Sequence, residues 1–328
     1  MYKLKLSTSI EDKEIWNSFV DSNKENQIVT VAHNPSLTRI LSETFGYKSG
    51  CYFIMEDEDI IGVLPGVYFR NIFVSMPHFS YGGPLSKKKI IGKSHINELL
   101  DYQDYDIRSF DILSEDYNDE KIICYLNLES SIDKQWTGFK SKLRSQIKNG
   151  QKNSPEIFHG GNELLSDFYK VYTHNMLRLG SPPLPKLFFK NIFKYYSFGD
   201  VHIALVKIDN IAVAAGMTLS YMKFNEVCWA SSDYKYNKLN VNMVLYWEMI
   251  KYSIQKENTF FSFGRSSKES NTLKFKLQWG AVVKPIFFNY SNKNLINLKK
   301  NTLLPKLWKI QSINSSIFLG KIISKYLY

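Results

Sequence analysis

The sequence predicts a mixed α/β protein made of two tandem copies of one domain, with mainly antiparallel sheets and an amphipathic helix at the C-terminus. Three observations carry this reading. The chain has 328 residues, about twice the usual size of one domain. Its apolar residues alternate in some stretches and follow helical spacing in others, the mark of strands and helices in one fold. A block of the first half also recurs in order in the second, at an offset of roughly 150 residues.

The repeated block opens with a hairpin. CYFIM-EDED-IIGVLPGVYF (51–69) is an apolar run, a short acidic turn and a second run, and IALV-KIDN-IAVAAGMTLSY (203–221) has the same plan. NIFVSMPHFSYGG (71–83) and NEVCWASSDYKYN (225–237) each read as a strand opening into a polar, aromatic loop. A helical segment follows each, KKKIIGKSHINELLDY (87–102) and NVNMVLYWEMIKYSI (240–254). A strand closes each block, RSFDIL (108–113) and TFFSFGR (259–265). Ahead of the second copy, WTGFKSKLRSQIKNGQK (136–152) has helical spacing and a stop near Gly150. NELLSDFYKVYTHNMLRLG (162–180) ends at Gly180, and SPPLP (181–185) breaks the chain before KLFFKNIFKYY. These elements divide the chain into domains at 1–130 and 131–300, followed by a helix over 301–328. That last segment places Leu307, Ile310, Ile313 and Ile317 on one side, either docked on the second domain or lying on a membrane surface.

Composition excludes several classes. Apolar residues are 44% and charged residues 22%, a globular balance. No apolar run reaches membrane-spanning length, and MYKLKLSTSIEDKEIW lacks the apolar core of a secretory signal. Cys51, Cys124 and Cys228 are far apart, without ligand spacing, so free thiols in a reducing compartment are expected. A cytoplasmic protein, peripheral at most to the inner face of a membrane, is therefore expected. The net charge of +11 permits an anionic partner, but the densest run is only Lys87 to Lys89. Arg is scarce: six residues against 36 Lys. A retained Arg then points to a need for its planar, two-pronged donor set, which singles out Arg144, Arg178 and Arg265.

Familiar catalytic frames are missing. The sequence has no HExxH, no P-loop, no GxSxG elbow and no GxGxxG turn, and the six His are scattered, so neither a metal nor a dinucleotide is expected. His174 reads as a structural His or a lone base, and Asp111 and Asp233 as strand-end or turn residues. The densest information lies in TFFSFGRSSKESNTLKFKLQWG (259–280). There a strand ends at Phe263, Gly264 frees the backbone, and Arg265 sits at the strand mouth, where α/β folds place ligands. Arg265 in that place suits a phosphate or carboxylate. Lys276, between Phe275 and Trp279, reads either as a surface lysine on an amphipathic helix or as a cation beside rings that stabilises an oxyanion.

FSFGRSS…NTLKFKLQWG resembles the signature of the FemAB-like transferases, particularly their exopolysaccharide-associated branch. SMPHFSYGGPL, the 136–150 helix, NMLRLGSPPLPKLFF and WASSDYKYNKLNVNMVLYWEMI agree in order, so the resemblance spans about residues 50 to 290. It implies two domains of the GCN5-related N-acetyltransferase (GNAT) type and transfer of an acyl group to an amine. It also implies that Lys276 is the oxyanion-stabilising residue and that Phe275 and Trp279 shape its pocket. Arg265, Arg144, Tyr234 and the Tyr81-Gly82-Gly83 loop are then substrate-binding candidates, the glycines letting backbone approach the substrate. For Arg144 an interdomain salt bridge is the other reading. The implied donor is an aminoacyl-tRNA or an acyl-CoA, used as a co-substrate. The absent heptad-patterned arm argues against tRNA, and the absent [QR]xxGx[GA] turn argues against acetyl-CoA. The implied acceptor is a nucleotide- or lipid-linked saccharide or peptide of the cell envelope. A non-catalytic double domain that binds such precursors is the alternative, and retained fold motifs with Lys276 in solvent would favour it.

Overall fold

The computed structural model describes residues 2–24, 27–87, 93–101, 103–292 and 303–327. The first half begins with β1 (Tyr2–Leu6), α1 (Ile10–Asn23), α2 (Ser36–Phe45) and a short β2 (Lys48–Ser49). A reciprocal capping box starts α1: the Ser9 hydroxyl accepts from the Asp12 amide and the Asp12 carboxylate from the Ser9 amide, both at 2.9 Å. The first repeat follows as β3 (Tyr52–Glu56), β4 (Asp59–Leu64), β5 (Val67–Phe69), β6 (Ile72–Val74), β7 (Leu85–Ser86), α3 (Lys93–Leu99) and β8 (Tyr105–Ser109). The long β9 (Asp116–Asn127) ends this half. Part of the helix expected over 87–102, including Lys88 and Lys89, lies outside the described residues.

The second half opens with α4 (Ile132–Gly138), α5 (Ser141–Gln151), β10 (Glu156–Gly160), α6 (Leu165–Leu179) and α7 (Lys186–Tyr195). Its repeat is β11 (Val201–Ile208), β12 (Ile211–Tyr221), β13 (Phe224–Ser232), α8 (Val241–Gln255) and β14 (Phe260–Ser267). After it come α9 (Asn271–Leu277), β15 (Val282–Tyr290), α10 (Leu303–Lys309) and α11 (Ile313–Ile323). The β11–β12 turn places Asp209 and Asn210 at φ 49° and 61°, the paired left-handed geometry that fits the twist of a hairpin.

The repeat expected from the sequence shows in the pairing. In the first copy β6 runs parallel to β8 (Phe73 opposite Tyr105), and in the second β13 runs parallel to β14 (Phe224 opposite Phe260). The other neighbours among the described strands are antiparallel. Strands of both halves share one sheet of order β10-β11-β12-β13-β14-β9-β15-β8-β6-β5-β2, and β1-β3-β4-β7 form a smaller one. β9, from the first half, lies between β14 and β15 of the second. The largest core cluster likewise joins Trp16, Phe53 and Phe79 to Phe168, Phe188 and Phe189. No helix among the described residues is long and apolar enough to cross a membrane.

Several expected elements break where a large side chain must be buried. The second run of 51–69 is two strands in two sheets, parted at Pro65-Gly66, where Gly66 lies against the Phe73 ring. The 136–152 helix is two helices. Phe139 and Lys140 are extended (ψ 144° and 145°), which inserts the Phe139 ring between Trp247 and Trp279. The C-terminal helix is also two, because Ser312 caps α11 and Trp308 is buried with its Nε1 donating to the Ser316 hydroxyl at 2.7 Å. Its expected apolar side is turned outward at Leu307 and Ile310, while Trp308, Ser316 and Gly320 face the body and α10 and α11 pack on α6. Residues 301, 302 and 328 of that segment lie outside the described ones.

α5 ends at Gln151, near Gly150 as expected, and Gly150 itself is in its last turn, buried where α5 meets α8. A Cβ there would come within 2.6 Å of Val244 Cγ2 and 2.9 Å of the Asn240 carbonyl oxygen. Gly150→Ala is therefore expected to lower stability by about 1–3 kcal/mol despite its better helix propensity. Urea unfolding of the two proteins measures this, and an unchanged or higher midpoint would contradict the packing.

Candidate active site

The site forms where β14 is interrupted. Its pairing with β9 slips between Ser262 and Arg265, and Gly264 takes φ +69°, a conformation suited to glycine. The strand does not end at Phe263 as expected. It resumes through Ser267, so Arg265 lies within the strand just past a bulge rather than at a free mouth. The bulge leaves the Gly264 and Arg265 carbonyls to accept hydrogen bonds from α9. That short helix is capped by Ser270, whose hydroxyl accepts from the Leu273 amide at 3.1 Å, and it carries Lys276 in its last turn.

Lys276 is 3% exposed, and its Nζ donates to the Gly264 oxygen at 3.1 Å and the Arg265 oxygen at 2.8 Å. An ammonium has three donors, so these two bonds leave one for another acceptor. Burial lowers its pKa to about 8, with Arg265 acting the same way and Cys124 and Glu226 opposing. Glu226, on β13, is 1% exposed. Burial raises its pKa to about 7, against hydrogen bonds from the Ser80 and Ser262 side chains and the charges of Lys276 and Arg265. An acid and a base with pKa values moved toward neutrality thus share one buried cluster.

The loop after β6 covers this cluster from the first half. The Ser80 hydroxyl accepts from the Arg265 amide at 3.3 Å, and Arg265 Nη1 donates to the Phe79 carbonyl at 3.5 Å. Arg108 on β8 is fully buried, and its Nη1 donates to the same Phe79 oxygen at 3.1 Å, while its Nε and Nη2 have no partner among the described residues. Both guanidiniums lie over Phe288, at 5.2 Å for Arg108 and 5.9 Å for Arg265. Burial and the nearby Arg108 lower the Arg265 pKa to about 10.

Of the residues singled out in the sequence, the structure brings together Lys276 and Arg265, with Phe275 beside Lys276 in α9. The Phe275 ring meets Tyr246 edge-on at 5.0 Å. Trp279, 1% exposed, packs on Phe139, Phe263 and Tyr246 and belongs to the core under α8. Tyr81 is buried on the covering loop, stacked on Phe110 at 4.0 Å. Gly82 and Gly83 are crowded by the protein itself: an added Cβ would lie 2.9 Å from Ser75 backbone and 2.8 Å from Ser109 Cβ, respectively. This packing by itself calls for their smallness.

Arg144 and Tyr234 stand apart from the cluster. Arg144 donates to the Thr137 carbonyl at 3.4 Å and makes no ion pair among the described residues, so the expected salt bridge is not formed. Tyr234 is 56% exposed, beneath the Arg178 guanidinium. His174 is exposed, and Asp233 caps a turn by accepting from the Lys235 amide. Glu226 and Arg108 were not singled out beforehand. A lone acid between Phe224 and Val227, in a run otherwise apolar enough to be a buried strand, was the available signal for Glu226.

The depressed pKa of Lys276 has a consequence for stability. In the unfolded chain the lysine keeps its ordinary 10.5, whereas in the folded protein it titrates near 8. Between these values the unfolded state binds more protons, so Lys276 makes stability rise with pH across that window. Lys276→Met is expected to remove this rise, whose upper bound is about 3 kcal/mol. Denaturant unfolding of both proteins at either end of the window measures it, and parallel pH dependences would contradict the burial of the charge.

Comparison with known proteins agrees with this architecture. Residues 138–276 match the acetyltransferase (GNAT) domain. The chain is similar to the crystal structure of FemX, with TM-score 0.62 and 13% identity over 84% of this chain and 95% of that one. It is also similar to a tandem GNAT protein from the clavulanic acid biosynthesis pathway, with TM-score 0.53 and 7% identity over 89% and 98% of the two chains. For L-PGS from Bacillus licheniformis the TM-score is 0.50 and the identity 13%, over 87% and 100%. Comparison with curated proteins gives no match. At these identities the likeness is one of fold. The chain has the FemAB-like double GNAT fold, an acyltransferase-like architecture whose second half carries the GNAT domain.

Proposed function

We propose that this protein is an N-acyltransferase that moves an aminoacyl or acetyl group from an activated donor to an amine on a cell-envelope saccharide or peptide precursor. The observation that carries the reading is the Lys276 ammonium, buried on two backbone carbonyls beside the buried Glu226 carboxyl. Lys276 in solvent would have favoured the non-catalytic alternative, and its 3% exposure supports the acyl-transfer reading instead. The GNAT match and the FemX likeness support acyl transfer as the class, and the FemAB-like signature supports the envelope acceptor and its nucleotide- or lipid-linked form.

In this reading the amine nitrogen attacks the acyl carbonyl carbon, and the carbonyl electrons move onto oxygen. The third N–H of Lys276 stabilises that oxyanion, worth about 2.7–4 kcal/mol if it acts as one oxyanion-hole donor. Glu226, as carboxylate, accepts the proton that the attacking nitrogen must lose. Collapse restores the carbonyl and breaks its bond to the donor's oxygen or sulfur, and Glu226 returns its proton to that atom, so the donor leaves as an alcohol or thiol according to whether an aminoacyl-tRNA ester or an acyl-CoA thioester was bound. No covalent enzyme intermediate forms, and positioning of the two reactants supplies much of the rate. Arg265, whose Nη1 donates to the Phe79 carbonyl, would meet an anionic part of a substrate.

The test is to incubate the pure protein with charged tRNAs and acyl-CoAs plus amine-bearing envelope precursors, and to follow the acyl increment by mass spectrometry. Lys276→Ala is expected to lower kcat by about 10²–10³ while the protein stays folded. No increment with any donor, or full activity of Lys276→Ala, would overturn the reading.

The pH profile supplies a second check. Activity is expected to rise with pH through about 7 as Glu226 ionises and to fall through about 8 as Lys276 loses its proton. The two limbs belong to the interacting pair. In Glu226→Gln the lower limb should vanish from kcat/KM, and its persistence would remove Glu226 from the proton path.

A further inference from the structure

A second feature lies on the outside of the molecule and is independent of the acyl-transfer reading. α11, α7 and the end of α2 enclose a groove of about 700 Å³. Phe45, Pro185, Leu187, Ile317, Phe318 and Ile322 line it. Its lip is open to solvent: Phe318 is 65% exposed, and Leu187 and Ile322 are each 47% exposed. Leu307 and Ile310, at 60% and 81%, continue the apolar surface along α10 and just beyond its end. This much exposed apolar area on one pair of helices is more than scattered surface residues account for.

The charged side chains that line the groove are all lysines. Residues 186–195 and 303–327 hold seven lysines and no Asp or Glu. Lys186, Lys321 and Lys325 line the groove itself. The helices are fixed to the body by their other side. Gly320 lies against Pro183, the Tyr47 hydroxyl donates to the Lys325 carbonyl at 2.6 Å, and the Tyr326 ring meets Phe69 edge-on at 5.6 Å. The apolar and cationic side is therefore presented as a rigid face.

We infer that this face docks the protein on a membrane surface bearing anionic lipid, with α11 lying in the interfacial plane and an acyl chain entering the groove. The chemistry favours a bilayer over a second copy of the chain. A two-fold contact would set this lysine-bearing face against itself, and like charges would oppose it. A bilayer accepts apolar side chains below its headgroups and lysines among them, the arrangement found here. A juxtamembrane lysine contributes about fivefold in affinity for an anionic surface.

The experiment is co-sedimentation of the full chain with vesicles of phosphatidylcholine alone and of phosphatidylcholine mixed with phosphatidylglycerol. Binding is expected to the mixed vesicles and to weaken as salt is raised. Lys321→Gln and Lys325→Gln should each weaken it about fivefold. Phe318→Ser should weaken it about tenfold or more at low salt, since a buried aromatic side chain is lost. Phe318 is largely exposed, so this variant should keep the parent's circular dichroism and Tm, and the loss can be read as surface chemistry. Sedimentation that ignores phosphatidylglycerol, binding unchanged in Phe318→Ser, or a dimer in solution that Phe318→Ser dissolves would each overturn the inference. None of these readouts depends on catalysis, so the docking face and the acyl-transfer reading stand or fall separately.

Discussion

The site depends on one arrangement, a buried ammonium held by two consecutive backbone carbonyls. Lys276 cannot keep a charge at 3% exposure without acceptors, and the bulge at Gly264 supplies them by turning the Gly264 and Arg265 carbonyls toward α9. A regular strand would have turned these two consecutive carbonyls to opposite edges, one toward β9 and the other toward β13. The bulge thus converts backbone pairing into a seat for a cation. The same departure from regularity brings Arg265 under the Phe79-Ser80 loop. Glu226 completes the arrangement as a nearby opposite charge, so each group softens the cost of burying the other.

The tandem copies differ in how they use the same topology. In each, two parallel strands flank a helix, but the second copy opens its pair beyond Glu226 and places the ionisable cluster there. The first copy supplies a lid instead: its loop after β6 carries Phe79, Ser80 and Tyr81 over the cluster, anchored by Arg108 and by Tyr81 on Phe110. Neither copy alone has the complete set, because Arg265 donates to Phe79 and lies against Ser80 of the first copy while its carbonyl accepts from Lys276 of the second. The His78 ring on the same loop meets Phe45 at a tilt, 4.7 Å between centroids, and Phe45 lines the external groove. One loop therefore touches the walls of both features.

Much of the fold was legible in the sequence because its signals are local. Alternating runs around Asp209-Asn210 fix a hairpin, and Gly180 ends α6 in the left-handed conformation that glycine tolerates. What escaped was set by distant partners. The break at Phe139 exists to bury one ring against Trp247 and Trp279, and the break before Ser312 serves Trp308; neither appears in helical spacing. At the site, Lys276 was legible only through a family signature, since spacing alone fits a surface lysine better. Glu226 was overlooked because an acid in a strand reads as solvent-facing until the neighbouring strand and loop are known. The packing at Gly82 and Gly83 escaped for a similar reason: the sequence shows that a residue is small, and only the structure shows what crowds it.

The position of β9 sets an order of events during synthesis. Its twelve residues are complete at Asn127, yet its two neighbours, β14 and β15, are not finished until Ser267 and Tyr290. At a ribosome adding about 5–20 residues per second, the strand waits on the order of ten to thirty seconds with both hydrogen-bonding edges unpaired. Its inner half, IICYL, is the apolar part that any other edge strand would accept. The outer half, DYNDEK, carries charges of both signs and resists such pairing. This polar stretch acts as a guard on the nascent chain, keeping the central strand available until the second half emerges to enclose it.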